Sequence, residues 1–312
     1  MPQNIAKNKT YPIELSLYLK SFLLLMKPRV MSLVLFTAVV GLVVAPLKVS
    51  FSSACLSLLA VAIGSGAAGA LNMWYESDLD AVMSRTCLRP IPTGKIKRKN
   101  ALWFGIILSI ASTIMLYLSS NLISAILLAS TISFYFFIYT IWLKRKTAQN
   151  IVIGGASGAL PPVIGWTIAT GSISIEPIIM FLIIFFWTPS HFWALSLYKS
   201  DDYKKAKIPM LPITAGIEST KFNILLYAFF MLPVVILPIF VGFGSIVYLI
   251  LSLSMTMYYI NLCYLLFKSK SVSKSNLIAR KIFVYSIFYL FFLFLLILFD
   301  NLLKLNEIMT FF

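Results

Sequence analysis

Nine apolar stretches of 17 to 24 residues, separated by short polar connections, dominate this chain. They run Val30–Pro46, Phe51–Trp74, Ala101–Leu118, Leu122–Leu143, Ile151–Ala169, Ile175–Leu197, Phe222–Val241, Ser245–Phe267 and Ile278–Leu298. A helix crossing the hydrocarbon core of a bilayer needs about 20 apolar residues, and only helices or closed barrels satisfy their backbone there. Each stretch therefore predicts one spanning helix. The composition agrees: 60% of the 312 residues are hydrophobic and 12% charged, where soluble domains carry about 25% charged residues. A soluble globular fold, a disordered chain and a disulfide scaffold are excluded. The expected fold is an all-α polytopic membrane protein with nine transmembrane helices. Its organisation reads as a tail over 1–26, a nine-helix unit over 27–303 and a short tail over 304–312.

A net charge of +16 could suggest a nucleic-acid partner, but the placement of the charge argues for topology instead. Alternate connections and the N-terminal tail hold 24 of the 26 Lys and Arg, leaving only Lys48 and Lys304 on the other side. Cytoplasmic loops retain Lys and Arg. The N-terminus is thus expected in the cytoplasm and the C-terminus outside, with contacts to anionic membrane lipids and no nucleic acid. The first 20 residues are polar or mixed, so no secretory signal peptide is expected. Cys55, Cys87 and Cys263 are odd in number and far apart, and read as free thiols.

The acids are more informative. Five of the ten, Glu76, Asp78, Asp80, Asp201 and Asp202, fall in two connections on the basic side, each directly after a membrane helix. Asn72, Glu76 and Asp80 are spaced i, i+4, i+8, which makes one stripe of oxygen-bearing side chains on a helix, with Asp78 facing away. Like charges four apart repel unless a cation sits against them. Carboxylate and amide oxygens suit Mg²⁺, which commonly binds one or two carboxylates together with substrate phosphates. A solvated acidic helix end paired with Arg85 and Arg89 is the plainer reading of the first cluster. For Asp201 and Asp202 it is a solvated loop.

Phosphate chemistry also calls for cations, and Lys27, Arg29, Arg85, Arg89, Lys144 and Arg145 all lie at helix ends or loops of the same side. Arg grips phosphate oxygens with a planar fork, whereas Lys acts as a point charge. Acids and bases gathered on one face distinguish a diphosphate site from ordinary membrane flanking. No Walker loop, HExxH helix or nucleophile elbow is present. Within the membrane, Gly64–Ala70 and Gly154–Pro162 are rich in small residues, which either pack helices closely or leave room for a bulky ligand. Pro161 and Pro162 must break the backbone hydrogen bonding of the fifth span. His191, the one histidine, lies in the sixth span beside Trp187, Phe192 and Trp193, either as a bonded core residue or as a functional group.

These strings together resemble the UbiA-type intramembrane prenyltransferases, and their haem-directed branch in particular. The resemblance rests on Lys27–Val30, Asn72–Met83, Arg89–Pro92, Tyr139–Arg145, Asn150–Gly155, Gly158–Pro162, Thr188–Trp193 and Asp202–Pro212, about two thirds of the chain. It implies a nine-helix bundle around a central cavity, in a bacterial-type inner membrane with the site facing the cytoplasm. It implies further that Mg²⁺ held by two acidic motifs binds an isoprenoid diphosphate. Carried over, Asn72, Glu76 and Asp80 match the first motif, and Asp202 beside Asp201 the second, as metal-binding and catalytic positions. Lys27, Arg29, Arg85, Arg89, Lys144 and Arg145 match the diphosphate-binding bases. Tyr139 matches an aromatic near the reacting chain, and His191 and Trp193 the haem-binding string. The substrates implied are haem b and farnesyl diphosphate, with haem O as product and a downstream haem-handling enzyme or terminal oxidase as partner. Three positions depart from the pattern: Glu76 replaces the usual Asp, Tyr198 stands where many relatives have Asp, and Lys207 stands where Gly is expected.

Three other readings remain open on the residues. A relative could prenylate a quinone-precursor ring, which the histidine string argues against. A cation transporter would carry its acids at membrane depth, and here they sit at helix ends. A non-catalytic haem-binding protein on the same fold would leave the diphosphate intact.

Overall fold

The computed structural model describes residues 15–304; residues 1–14 and 305–312, parts of the tails expected over 1–26 and 304–312, lie outside the described residues. Among the described residues every regular element is helical. Helix α1 (Leu15–Leu25) is followed by α2 (Pro28–Val44), α3 (Phe51–Tyr75) and the short α4 (Ser77–Val82). Then come α5 (Arg98–Ser119) and α6 (Leu122–Ser133), the latter running on as a π-helix over Phe134–Leu143. Helices α7 (Asn150–Ala159) and α8 (Pro161–Thr170) share one span, and α9 (Ile175–Tyr198) precedes the short α10 (Ser200–Lys205) and α11 (Leu211–Thr214). The chain closes with α12 (Gly216–Phe240), α13 (Ile246–Lys268) and α14 (Val272–Leu302). Among the described residues eight spans are long and apolar enough to cross a bilayer outright, and α1 with α2, taken as one span, supplies a ninth that bends by 51°. The nine apolar stretches thus return as nine helical spans. Residues 15–25, which read as part of a tail, form α1 instead.

Each interruption has a local cause. Pro28 has no N–H to donate and disfavours a helical residue before it. Lys27 leaves the right-handed helical region for the left-handed one (φ 54°) and the chain turns there into α2. Leu160 is followed by Pro161 and Pro162, which divide α7 from α8, and both prolines are buried in protein, where such a break is tolerated. Lys207 also lies in the left-handed region (φ 52°). That conformation strains any residue with a Cβ and explains why glycine is the expected residue at this position.

Six spans, namely α2, α3, α6 with its π-helical extension, α7–α8, α9 and α14, surround a cavity of about 1030 Å³. The other three, α5, α12 and α13, contribute nothing to its wall and pack behind α3, α9 and α14. Their outer faces are apolar: Trp103, Ile107, Ile110 and Ile114 of α5 recur every three or four residues and all are exposed, a stripe facing lipid. The ring closes where α2 crosses α8. There a Cβ on Gly41 would overlap the carbonyl of Pro162, and one on Gly165 the carbonyl of Ala38. Glycine at both positions is what lets the two backbones meet.

Two stability outcomes follow from these backbones. Gly165→Ala should lower stability by about 1–3 kcal/mol, because backbone and not a side-chain tip has to yield. Lys207→Gly should raise it by up to about 1 kcal/mol by removing the left-handed strain. Thermal unfolding of the purified protein in detergent checks both, and unchanged midpoints would contradict the packing and strain assigned here.

Candidate functional site

The stripe of acids survives the break between α3 and α4. The Glu76 N–H donates to the Asn72 carbonyl (2.9 Å) and the Asp80 N–H to that of Glu76 (2.8 Å). Helical i to i+4 spacing therefore runs unbroken through the junction, and Asn72, Glu76 and Asp80 line one wall of the cavity. All three are at most 3% exposed. Burying carboxylates costs several kcal/mol each unless they are paired, and each member of the stripe has its own cation or donor. Lys27 Nζ donates to Asn72 Oδ1 at 2.6 Å, Lys144 Nζ stands 2.6 Å from the Glu76 carboxylate, and Arg89 Nη1 donates to both oxygens of Asp80 at 2.7 and 2.8 Å. These three cations come from the α1–α2 bend, the end of the π-helix and the loop after α4, so one site ties together three distant stretches.

Asn72 is further fixed through its amide nitrogen, which donates to Thr140 Oγ1 (3.1 Å), whose own proton goes to the Tyr135 carbonyl (2.9 Å). The π-helical segment carrying Thr140 also directs Tyr135 and Tyr139 to the cavity, their rings 5.2 Å apart. Such wide turns occur mostly at functional sites. Gly154 of α7 backs the Tyr139 ring: a Cβ there would overlap it. Gly158, one turn on, has open space before it on the cavity wall. Both readings of the small residues therefore hold, packing at Gly154 and room at Gly158.

Arg29 and Arg85 line the cavity, and Arg85 Nη2 donates to the hydroxyl of Tyr203 (2.7 Å). Arg145 does not. It forms a two-point pair with Asp78 at 2.9 and 3.0 Å on the exposed side of the connection. Burial raises the Asp78 carboxyl, but the Arg145 hydrogen bonds and the Leu79 N–H outweigh it and leave the group below the ordinary carboxylate range. A pair this exposed is worth at most about 1 kcal/mol. Arg145, expected among the diphosphate-binding bases, thus stands outside the cavity wall, while Asp78 faces away as the helical spacing requires.

The second acidic motif is placed differently from expectation. Asp201 is exposed. Asp202 is buried but does not line the cavity: its oxygens accept from the Ser84 hydroxyl at 2.9 Å, which ties α10 to the loop after α4. Its neighbour Tyr203 is the residue that reaches the wall. Among the described residues no three His, Cys, Asp or Glu side chains converge on one point. The oxygen donors offered to a metal at the cavity are therefore one amide and two carboxylates.

Farther from the charged end, His191 lies on the wall, stacked between Trp187 (4.3 Å) and Phe283 (4.6 Å). Trp193, expected beside it, points into the packing of α9 on α12, edge-on to Tyr227 at 5.4 Å. Residues two apart on a helix face nearly opposite ways, whereas Trp187, four before His191, shares its face. Thr140, Tyr203 and Ser84 were missed because each acts through a partner far away in the chain, and Tyr135 because its partners, Thr140 and Tyr139, are neighbours on the same π-helical segment. The only local signal was the four-residue spacing of Tyr135 and Tyr139.

Comparison with known proteins adds the family. Residues 34–293 match the model of the UbiA prenyltransferase family. The protohaem IX farnesyltransferase of Pelagibacter ubique is 65% identical over 89% of this chain and 92% of its own length, and that of Afipia carboxidovorans 51% identical over 88% and 87%. Among solved structures, a digeranylgeranylglyceryl phosphate synthase superposes with a TM-score of 0.75 at 18% identity, covering 90% of this chain and 99% of its own. A UbiA homologue from Archaeoglobus fulgidus, bound to GPP and Mg²⁺, gives 0.67 at 17%, covering 89% and 99%. These two share the fold. The family model and the relatives of 51–65% identity, taken with the buried acid stripe and its cations, place this chain in the UbiA prenyltransferase family, among the protohaem IX farnesyltransferases.

Proposed function

We propose that this protein transfers the farnesyl group of farnesyl diphosphate to a vinyl group of haem b, with addition of water, to give haem O. The observation that carries the reading is a buried acid stripe and its cations closing one end of an otherwise apolar cavity. At about 1030 Å³ the space lies at the top of the range for ligand pockets, as two bulky apolar reactants require. The site is read as facing the cytoplasm of a bacterial inner membrane, since the Lys and Arg gather at that end.

The donor set fits Mg²⁺: the oxygens of Asn72, Glu76 and Asp80 are hard, buried and on one face. Bound there, Mg²⁺ would supply positive charge where the departing diphosphate becomes negative. The remaining work falls to the chain's own groups. Lys27, Arg29, Arg85, Arg89 and Lys144 bind and neutralise the diphosphate oxygens, stabilising charge where it develops. As the allylic C–O bond breaks, its electron pair leaves with diphosphate, and the π faces of Tyr139 and Tyr135 lie where the allylic cation forms. Apolar walls keep water from that cation. The haem vinyl group then donates its π electrons to the farnesyl carbon, and water adds to the resulting cation with loss of a proton. His191 holds the porphyrin end.

Detergent-purified protein given haem b, farnesyl diphosphate and Mg²⁺ should yield haem O by mass spectrometry, and none with EDTA. Product from 4-hydroxybenzoate instead would replace the acceptor, and haem binding without any turnover would reduce the protein to a haem carrier. Asp80→Asn should cut turnover by roughly 100-fold or more while the protein stays folded; full activity would remove the stripe from the chemistry. Gly154→Ala, which displaces Tyr139 and touches no charged group, should lower kcat by about tenfold with diphosphate affinity unchanged. Equal loss of both would show a general disturbance of the site.

A further inference from the structure

Ser286 of α14 holds two cavity-wall residues of α9 at once. Its backbone carbonyl accepts from Trp187 Nε1 (2.8 Å), and its hydroxyl lies 2.6 Å from His191 Nδ1. Trp187 and His191 sit one turn apart on α9 and stack on each other, and Phe283, one turn before Ser286, covers the other face of the imidazole. The ring is thus fixed from both faces and from one edge.

The hydroxyl fixes more than position. A serine has one proton to donate and two lone pairs to accept with. Ser286 Oγ stands 2.8 Å from the Phe283 carbonyl, which can only accept, and a proton given to that carbonyl is not available to His191. Toward His191 it can then only accept, and the proton between them belongs to Nδ1. A neutral imidazole protonated at Nδ1 carries its lone pair at Nε2. That nitrogen has no hydrogen bond to protein, is not sealed off by packing, and belongs to a ring on the cavity wall.

We infer that Ser286 is a positioning residue that locks His191 in the Nδ1–H tautomer and presents a bare Nε2 to the cavity, where it coordinates the iron of the haem substrate. The iron ligation rests on the function proposed above; the tautomer does not. A bare Nε2 can ligate iron or accept a proton and cannot donate one, so the alternative tautomer would offer the substrate an N–H and no ligand. Partners that fix a ligating histidine from behind typically change metal affinity by 10- to 100-fold when removed.

Because the chain has one histidine, ¹⁵N labelling of the imidazole gives a single pair of ring signals in haem-free protein. The wild type should show the proton on Nδ1. Ser286→Ala should let the ring populate the Nε2–H form, and Ser286→Thr, which keeps a hydroxyl, should restore the wild-type pattern. Trp187 bonds to the backbone carbonyl, so its anchor survives either change and its fluorescence reports that the wall is intact. A proton on Nε2 in the wild type, or a pattern unmoved in Ser286→Ala, overturns the inference. Ferric haem b is then titrated into the same proteins. Wild type and Ser286→Thr should show nitrogen ligation in the absorption and EPR spectra. Ser286→Ala should bind roughly 10- to 100-fold more weakly, and His191→Ala should lose the signature and regain it with added imidazole. Haem bound without nitrogen ligation overturns the iron assignment. No haem binding by a wild type of the expected tautomer overturns the function proposed above and leaves the tautomer lock standing.

Discussion

Burying charge at the end of an apolar cavity is the constraint around which this fold is arranged. Three oxygen-bearing groups on one helical stripe are almost wholly removed from solvent, and each carboxylate left unpaired there would cost more than most single contacts in the protein supply. The compensating groups come from outside the stripe. Lys27 stands at a strained bend, Lys144 at the end of a π-helix, and Arg89 in a loop nine residues beyond Asp80. Because removing one partner strands the other, these three stretches must arrive together. The left-handed backbone of Lys27 is tolerated in return, since local strain of about 1–3 kcal/mol persists where surrounding structure over-determines it.

The helices around the site are shaped to make those meetings possible. Close approach of α2 and α8 through Gly41 and Gly165 brings the first span against the fifth. The π-helix widens each turn, so that Thr140 can meet Asn72 and Lys144 can meet Glu76 while both tyrosines still face the cavity. Gly154 then leaves the space in which the Tyr139 ring lies. Mutual support of this kind holds the charged end together, while α5, α12 and α13 stay out of the cavity wall and present an apolar surface to lipid.

The spans, the stripe and its basic counterparts were legible in the sequence because they are local or periodic. Hydrophobic runs and a spacing of i, i+4, i+8 need only the geometry of one helix. What was not legible depends on pairings across the chain. Asp202 lies in a connection of the right charge, but the Ser84 hydroxyl, 118 residues away, takes its carboxylate. Arg145 follows Lys144 directly, yet the two face different ways, one to Glu76 and the other to Asp78. Trp193 belongs to the same string as His191 and still points into the core, and there the helical period, applied strictly, would have favoured Trp187. The family's expected glycine at Lys207 is a case of the opposite kind, since a departure in sequence marked a real feature of the backbone.

The distance between the two ends of the cavity bears on how the proposed reaction would choose its bond. His191 lies seven residues before the end of α9 at Tyr198, which places it about 10 Å along the helix axis from that end. Tyr139 and Tyr135 occupy the wall of the π-helix that runs from the charged end toward that depth. A diphosphate held by the cations and a porphyrin held at His191 would thus share one cavity while being anchored by different residues of its wall. Fixing both ends turns encounter into orientation, the largest entropic contribution a site can make to a reaction of two bound partners. It also gives the apolar middle a chemical purpose. Between two polar anchors, a wall that is mostly apolar and carries no charged side chain would offer the cation few competing nucleophiles, so the order of bond formation would be set by where nucleophiles are scarce as much as by where they are held.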